Sequence, residues 1–304
     1  MSIGNPPPLA IIEEGIPNAK ARRRGARTTK IRGSRPGFWV YAPLLVVLLS
    51  ALFPLYWSFI IGSGDSTTLR GDFPWIPGGN FFSNAASVVN NEAVNFWPAL
   101  WNSIYSSFLI AAAVVITSTL AGWAFAKLKF LGGPALPVLV VATTAVPQQP
   151  GVVPLSIRFS ELGWTGQIGA IIIPALTSAF GVFWMTQYLG QTVPDELIEA
   201  ARVDGATMFR TFLTVGLPAA RPAAAMLFLF TFVGAWNNFF WPFIVLDRQN
   251  PTLPVALSLL QSNYFVDYSV VLAGVVLATI PLLLLFIFAG KQLVSGIMAG
   301  AVKG

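Results

Sequence analysis

The chain contains no cysteine and no histidine, and it is poor in charge. Without cysteine there is neither a disulfide framework nor a thiolate ligand. Without histidine the usual zinc ligand and the proton shuttle of neutral pH are also missing. No metal site and no catalytic constellation is therefore expected. Charged side chains make up 10% of the 304 residues and hydrophobic ones 55%, where a soluble globular chain carries roughly 25% charged residues. A soluble fold of this size cannot bury so much apolar surface, whereas a bilayer accepts it. The long apolar runs hold no Asp, Glu or Lys in their cores, so a carboxylate relay of the kind that couples transport to protons or sodium has nothing to use. A phosphate-binding loop is missing as well. The single Gly-Lys pair, Gly290-Lys291, lacks both the upstream Gly and the following Ser or Thr. By that route the chain cannot hydrolyse ATP, and uphill transport would need a partner as motor. A passive channel or facilitator stays open.

What is present is organised by charge. Residues 1–36 carry Lys20, Arg22, Arg23, Arg24, Arg27, Lys30, Arg32 and Arg35 in a Pro- and Gly-containing stretch, which reads as a disordered basic cytoplasmic arm. The stretch from Trp39 to Ile61 is free of charge and would make about 35 Å of helix, enough to span. Further charge-free runs at 93–126, 130–157, 162–194, 222–246 and 268–290 hold one span each. The expectation is an all-α polytopic protein with six transmembrane helices, near 39–61, 100–126, 135–157, 168–190, 222–246 and 269–290, making residues 37–304 one membrane domain. If the arm is cytoplasmic, fifteen of the eighteen Lys and Arg fall on that side, leaving only Arg70, Arg158 and Arg248 outside. Acidic residues divide evenly, as expected if Lys and Arg set the topology. Both ends are thus predicted inside, in a cytoplasmic or inner membrane. The net charge of +6 reads as orientation rather than as nucleic-acid binding.

Five segments carry candidate function. The loop at 193–218 opens with Pro194, Asp195 and Glu196, which suit the first turn and the positive end of a helix dipole. At 100° per residue, Leu197, Ile198 and Ala201 share one face, and Asp195, Glu196, Glu199 and Arg202 the other. Gly205 ends or bends that helix, because glycine takes the left-handed conformation cheaply. By amphipathicity alone, an ordinary interfacial helix is the favoured reading. Trp236, Asn237, Asn238, Phe239 and Trp241 offer stacking faces and amides to a sugar, or an aromatic belt with interhelical amide bonds. Gln148 and Gln149 are further pathway candidates. The outer stretches 62–96 and 247–267 are long enough to dock an external partner, or to form a belt.

The triplet Glu199-Ala200-Ala201, then Asp204-Gly205 and the distal Leu217-Pro218 between two spans resemble the "EAA" loop of ABC importer permeases. With WNSIYSSFLIAAAVVITSTLAGWAFAKLKF, LGWTGQIGAIIIPAL and the Trp236-Asn237-Asn238 segment, nearly the whole chain after residue 37 resembles the six-span permease subunit of maltose-type carbohydrate importers, the inner-membrane component of binding-protein-dependent transport. The long basic arm has no counterpart in that resemblance. The resemblance implies a type I ABC importer permease fold and a second homologous permease chain. It further implies a cytoplasmic ABC ATPase dimer holding ATP and Mg, an extracytoplasmic solute-binding protein, a di- or oligosaccharide substrate and a lipid surround. Leu197 to Gly205 would be the coupling helix seated in an ATPase groove, with Glu199 available to an Arg there. Gly300 to Gly304 would reach the ATPase interface, and loop 247–267 would probe the sugar site of the docked binding protein. On this reading the chain is a transport subunit, not an enzyme, and holds no cofactor itself. An ABC importer of another solute and a structural membrane protein are the remaining alternatives.

Overall fold

A computed structural model describes residues 37–67, 74–133, 135–147, 149–262 and 265–301. The basic arm 1–36, Gln148 and residues 302–304 lie outside the described residues. Among those described, every regular element is helical. In chain order they are α1 (Phe38–Gly62), α2 (Phe81–Val89), α3 (Phe96–Lys127), α4 (Ala135–Thr143), α5 (Val152–Glu161), α6 (Gly169–Ile172) and α7 (Ala179–Thr192). There follow α8 (Asp195–Val203), α9 (Met208–Thr211), α10 (Leu217–Trp236), α11 (Phe240–Val245), α12 (Leu253–Ser258) and α13 (Tyr268–Ala301).

Contacts divide the chain into residues 1–51 and 52–304. The described part of the first unit is the amino-terminal portion of α1, whose Trp39, Leu44, Leu48 and Leu49 are all exposed, as a lipid-facing helix requires. In the second unit α3 is the central element and packs most extensively against α7 and α10. Its inward face is built from small residues: Ser103, Ser106, Ser107, Ala111, Ser118 and Gly122 are all buried. Small side chains let helix backbones approach closely, the usual means of association where no hydrophobic drive acts between helices. At Gly122 the approach is extreme, since a Cβ there would sit 2.7 Å from the Met185 Cβ and 2.8 Å from the Met185 carbonyl carbon. One apolar cluster surrounds this contact with Trp123, Met185, Leu189, Phe212 and Leu227. A second gathers Val88, Phe96, Phe232, Trp236, Leu253 and Val271 at the other end of α3 and α10.

Among the described residues, five helical stretches are long and apolar enough to cross a membrane: Phe38–Gly62, Phe96–Lys127, Gly169–Thr192, Met208–Trp236 and Tyr268–Phe288. The stretch predicted as the third span, 135–157, is not one helix. It is α4 and α5, separated by a turn after Thr143 and a 3-10 turn at Gln149–Gly151. Proline explains the break. Pro147 has no N–H for the Thr143 carbonyl and pushes Val146 out of the helical region, and Pro150 follows three residues later. The fourth stretch also bends, after a 3-10 turn at Ile173–Ala175. Its second half restarts where the Ser178 hydroxyl accepts the Gly181 N–H at 3.1 Å, a side-chain N-cap.

Candidate functional site

The loop between α7 and α10 forms a short rigid arm. Helix α8 begins after Pro194, with Asp195 and Glu196 in its first turn, where carboxylates favour the exposed N–H groups. Its end is a full Schellman stop. Gly205 sits at φ +75°, its N–H reaches the Arg202 carbonyl at 3.0 Å, and the Ala206 N–H reaches the Ala201 carbonyl at 2.8 Å. The chain restarts at α9, capped by the Thr207 hydroxyl, which accepts the Arg210 N–H. It then passes through one widened π turn at Phe212–Gly216 into α10. Pro218 and Pro222 cannot donate to the carbonyls of Thr214 and Pro218, which loosens the ladder around that junction. A Cβ at Gly216 would stand 2.7 Å from two ring carbons of Trp123 of α3, and Trp123 tilts against Phe212 with centroids 5.7 Å apart.

Burial revises the expected faces of α8. Ile198 is buried and Ala201 half-buried, but Leu197 is 49% exposed and Val203 89% exposed. Leu197 therefore does not join Ile198 in the core. At 100° per residue it points about a quarter-turn away from Ile198, and about half of it is left exposed. Leu197, Ala200 and Val203, spaced three apart on α8, form an exposed apolar ridge, and Glu196 and Glu199 of α8 and Phe209 of α9 are exposed as well. Of the residues singled out from sequence, Glu199, Ala200, Asp204, Gly205, Leu217 and Pro218 are likewise exposed. The structure thus brings Leu197, Glu199, Ala200 and Gly205 onto one accessible arm, while Leu217 and Pro218 stand at the root of α10.

Sequence reasoning passed over one residue here. Lys127, the last residue of α3, places its ammonium 2.8 Å from the Asp195 carboxylate. The hydrogen bond and charge of Lys127 hold that carboxyl below its ordinary value of 3.8, with Lys129 adding in the same direction. A lowered carboxylate stabilises the folded arrangement above the ordinary value and loses that contribution only as pH falls through the lowered one. The chain has no cysteine, so a spin label at Val203→Cys reports this arm alone. Its spectrum should stay unchanged from about pH 8 down to about pH 4.5. A transition within that range would show that the pair does not hold.

The pathway candidates separate. Trp236 is buried and stacks on Phe232 at 6.0 Å and 17°. Trp241 donates its indole N–H to the Ala170 carbonyl at 3.0 Å and meets Phe159 edge-on. Trp236 thus lies in the second apolar cluster and Trp241 ties α11 to α5 and α6, while Asn237, Asn238 and Phe239 at the bend between α10 and α11 stay exposed. Gln149 is exposed in the 3-10 turn of the broken segment. The stretch beginning at 247 is pinned to the start of α3. The amides of Asn95 and Asn102 donate to the carbonyls of Gln249 and Pro251, and buried Ser103 accepts the Leu253 N–H at 2.7 Å. Among the described residues no group of acidic side chains could hold a metal.

A family profile described as "binding-protein-dependent transport system inner membrane component" matches residues 118–297. The chain is 34% identical over 215 residues to the arabinooligosaccharides transport system permease protein AraQ of Halalkalibacterium halodurans, covering 70% of this chain and 76% of that protein. It is 31% identical over 278 residues to the lactose transport system permease protein LacG of Rhizobium radiobacter, covering 90% and 99%. Among solved structures, a chain from a bacterial ABC transporter involved in the import of the acidic polysaccharide alginate superposes with a TM-score of 0.69 at 23% identity, over 83% of this chain and 94% of that one.

Proposed function

Because this chain belongs to the family of binding-protein-dependent transport system inner membrane components, we propose that it forms one half of the solute pathway of an ATP-driven ABC importer of di- or oligosaccharides. A second permease chain supplies the other half. A separate cytoplasmic ATPase dimer binds ATP and Mg and supplies the energy, and an extracytoplasmic binding protein delivers the sugar. The names of relatives that move arabino-oligosaccharides and lactose support the substrate class. Six crossings with both ends inside are part of this proposal, the third made by α4 and α5 as a broken span. A break at membrane depth is tolerable where it lines a cavity or packs on protein.

The observation that carries the reading is the α8 arm: a stiff helix with an exposed apolar and acidic ridge, stopped sharply at Gly205 and continued into a span. A passive channel has no use for such an arm. ATP closes the ATPase dimer, α8 moves with the ATPase as a lever, and the spans exchange outward for inward access. The shift lies between two packed arrangements and is driven by differential binding. Asn237, Asn238 and Phe239 provide sugar contacts. The loop from 247 faces the binding protein.

The test is uptake of labelled lactose and arabino-oligosaccharides into vesicles carrying this chain, its partner permease and the ATPase, with the binding protein added. ATP-dependent accumulation that disappears in Glu199→Lys supports the reading. Sugar flux through this chain alone, without ATP, would replace it with a facilitator.

A further inference from the structure

The Lys127–Asp195 pair joins two elements 68 residues apart, and its two ends differ in surroundings. The Lys127 side chain is only 4% exposed, whereas Asp195 is 79% exposed. The lysine stem is packed into the protein and its ammonium emerges at one place, against the first turn of α8. An ammonium sunk to this depth needs a partner, since burial without one is costly. Both charges also suit their positions, a cation at the carboxyl end of α3 and an anion at the amino end of α8.

The second observation is the other attachment of α8. Its carboxyl end is linked covalently through Gly205, α9 and the π turn to α10. Its amino end is held to α3 by this ion pair, and in the middle Ile198 is buried in the cluster that also contains Trp123 of α3. Helix α3 is the element on which α7 and α10 pack. A displacement of α8 can therefore reach the membrane helices through the backbone at both ends, into α7 by Val193-Pro194 and into α10, and through Lys127 into α3 as well.

We propose that Lys127 is a positioning residue that ties the amino end of the coupling arm to α3, so that movement of the arm is delivered to α3 and α10 together. This rests on the coupling role proposed for α8. The tie itself can be measured without it.

The first measurement uses the full chain alone in lipid vesicles, with the spin label at Val203→Cys. Lys127→Met and Asp195→Asn should raise the label's mobility, Lys127→Arg should not, and the exchanged pair Lys127→Asp with Asp195→Lys should recover about half of the lost order. The exchange keeps the reach, since the long side chain merely changes ends. Asp195→Asn alters only the exposed partner and carries the test if Lys127→Met fails to fold.

The second measurement uses the assembled complex with both permeases and the ATPase. Stimulation of ATP hydrolysis by the binding protein should fall about two- to fivefold in Asp195→Asn, at unchanged complex abundance, and recover in the exchanged pair. Unchanged label mobility in both single variants, or no recovery in the exchange, overturns the tie. Raised mobility with unchanged stimulation overturns delivery through α3. If Glu199→Lys also leaves stimulation unchanged, the coupling role of the arm fails instead.

Discussion

Gly205→Val and Gly205→Arg are expected to abolish ATP-dependent uptake while leaving the chain in the membrane at its normal level. The cause is backbone geometry, because nothing lies within 4 Å of where a Cβ would stand. At φ +75° an ordinary L residue costs about 1–2 kcal/mol, and a β-branched one more. The alternative is to release the two hydrogen bonds that close the helix, from Gly205 to Arg202 and from Ala206 to Ala201. Either way α8 no longer stops at a fixed angle, and its exposed ridge is presented wrongly. About 1.4 kcal/mol is a tenfold change in the population of the competent arrangement, so uptake should fall about tenfold or more, with arginine adding an unwanted cation on the docking face. Asparagine tolerates the left-handed region better than other side chains, and Gly205→Asn should retain much of the activity. The arm lies outside the spans, which is why insertion is untouched. Uptake at the parent rate in Gly205→Arg, with the protein present in the membrane, would remove the arm from the mechanism.

The second large effect is expected at Gly122, and it is one of assembly rather than coupling. A Cβ there meets the Met185 Cβ, the Met185 carbonyl carbon and the Thr186 nitrogen at 2.7–2.8 Å. Two of those three atoms are backbone, which cannot rotate away. Helices α3 and α7 would have to separate along their main contact, opening the cluster around Trp123 and Leu189. Overpacking a core side chain costs about 1–3 kcal/mol, and a contact set by backbone on both sides belongs at or beyond the upper end. Gly122→Val should therefore strip most of the folded protein from the membrane, measured as monodisperse protein after mild detergent extraction. Gly190 in α7 and Gly234 in α10 are the matched controls, since neither has an atom within 4 Å of a built Cβ. Alanine at either should be neutral, or stabilising by up to about 1 kcal/mol. Equal yields from Gly122→Val and Gly190→Ala would mean that the close approach of α3 and α7 is not required.

The membrane class, the all-α character and the short helix after Pro194 were legible in the chain, because each follows from local chemistry. Charge-free runs make apolar helices whatever surrounds them. Pro194, Asp195 and Gly205 set the start and stop of α8 through their own backbone preferences, and the described helix runs Asp195–Val203. The resemblance of the EAA triplet and the distal Leu217-Pro218 to the permease loop needed only spacing along the chain. The broken segment was partly legible: Pro147 and Pro150 were visible within a run that hydropathy counted as one span, and the prolines prevailed over hydropathy.

What the tertiary structure decided is the set of relations between distant residues. Leu197 faces outward because Ile198 takes the available place in the core, which periodicity along one helix cannot know. Trp236 turns into the protein beside Val88, Leu253 and Val271, and Trp241 toward Phe159 and the Ala170 carbonyl, all from other elements, which leaves Asn237 to Phe239 exposed. Read alone, Lys127 is one more positive charge at a membrane boundary; only the packing of α3 beneath α8 makes it a partner for Asp195. The sequence by itself determined which segments are helical and apolar enough for the bilayer, since hydrophobicity and backbone preference act over a few residues. Which side chains meet depended on how those helices pack, and packing distances between elements are a property of the assembled fold.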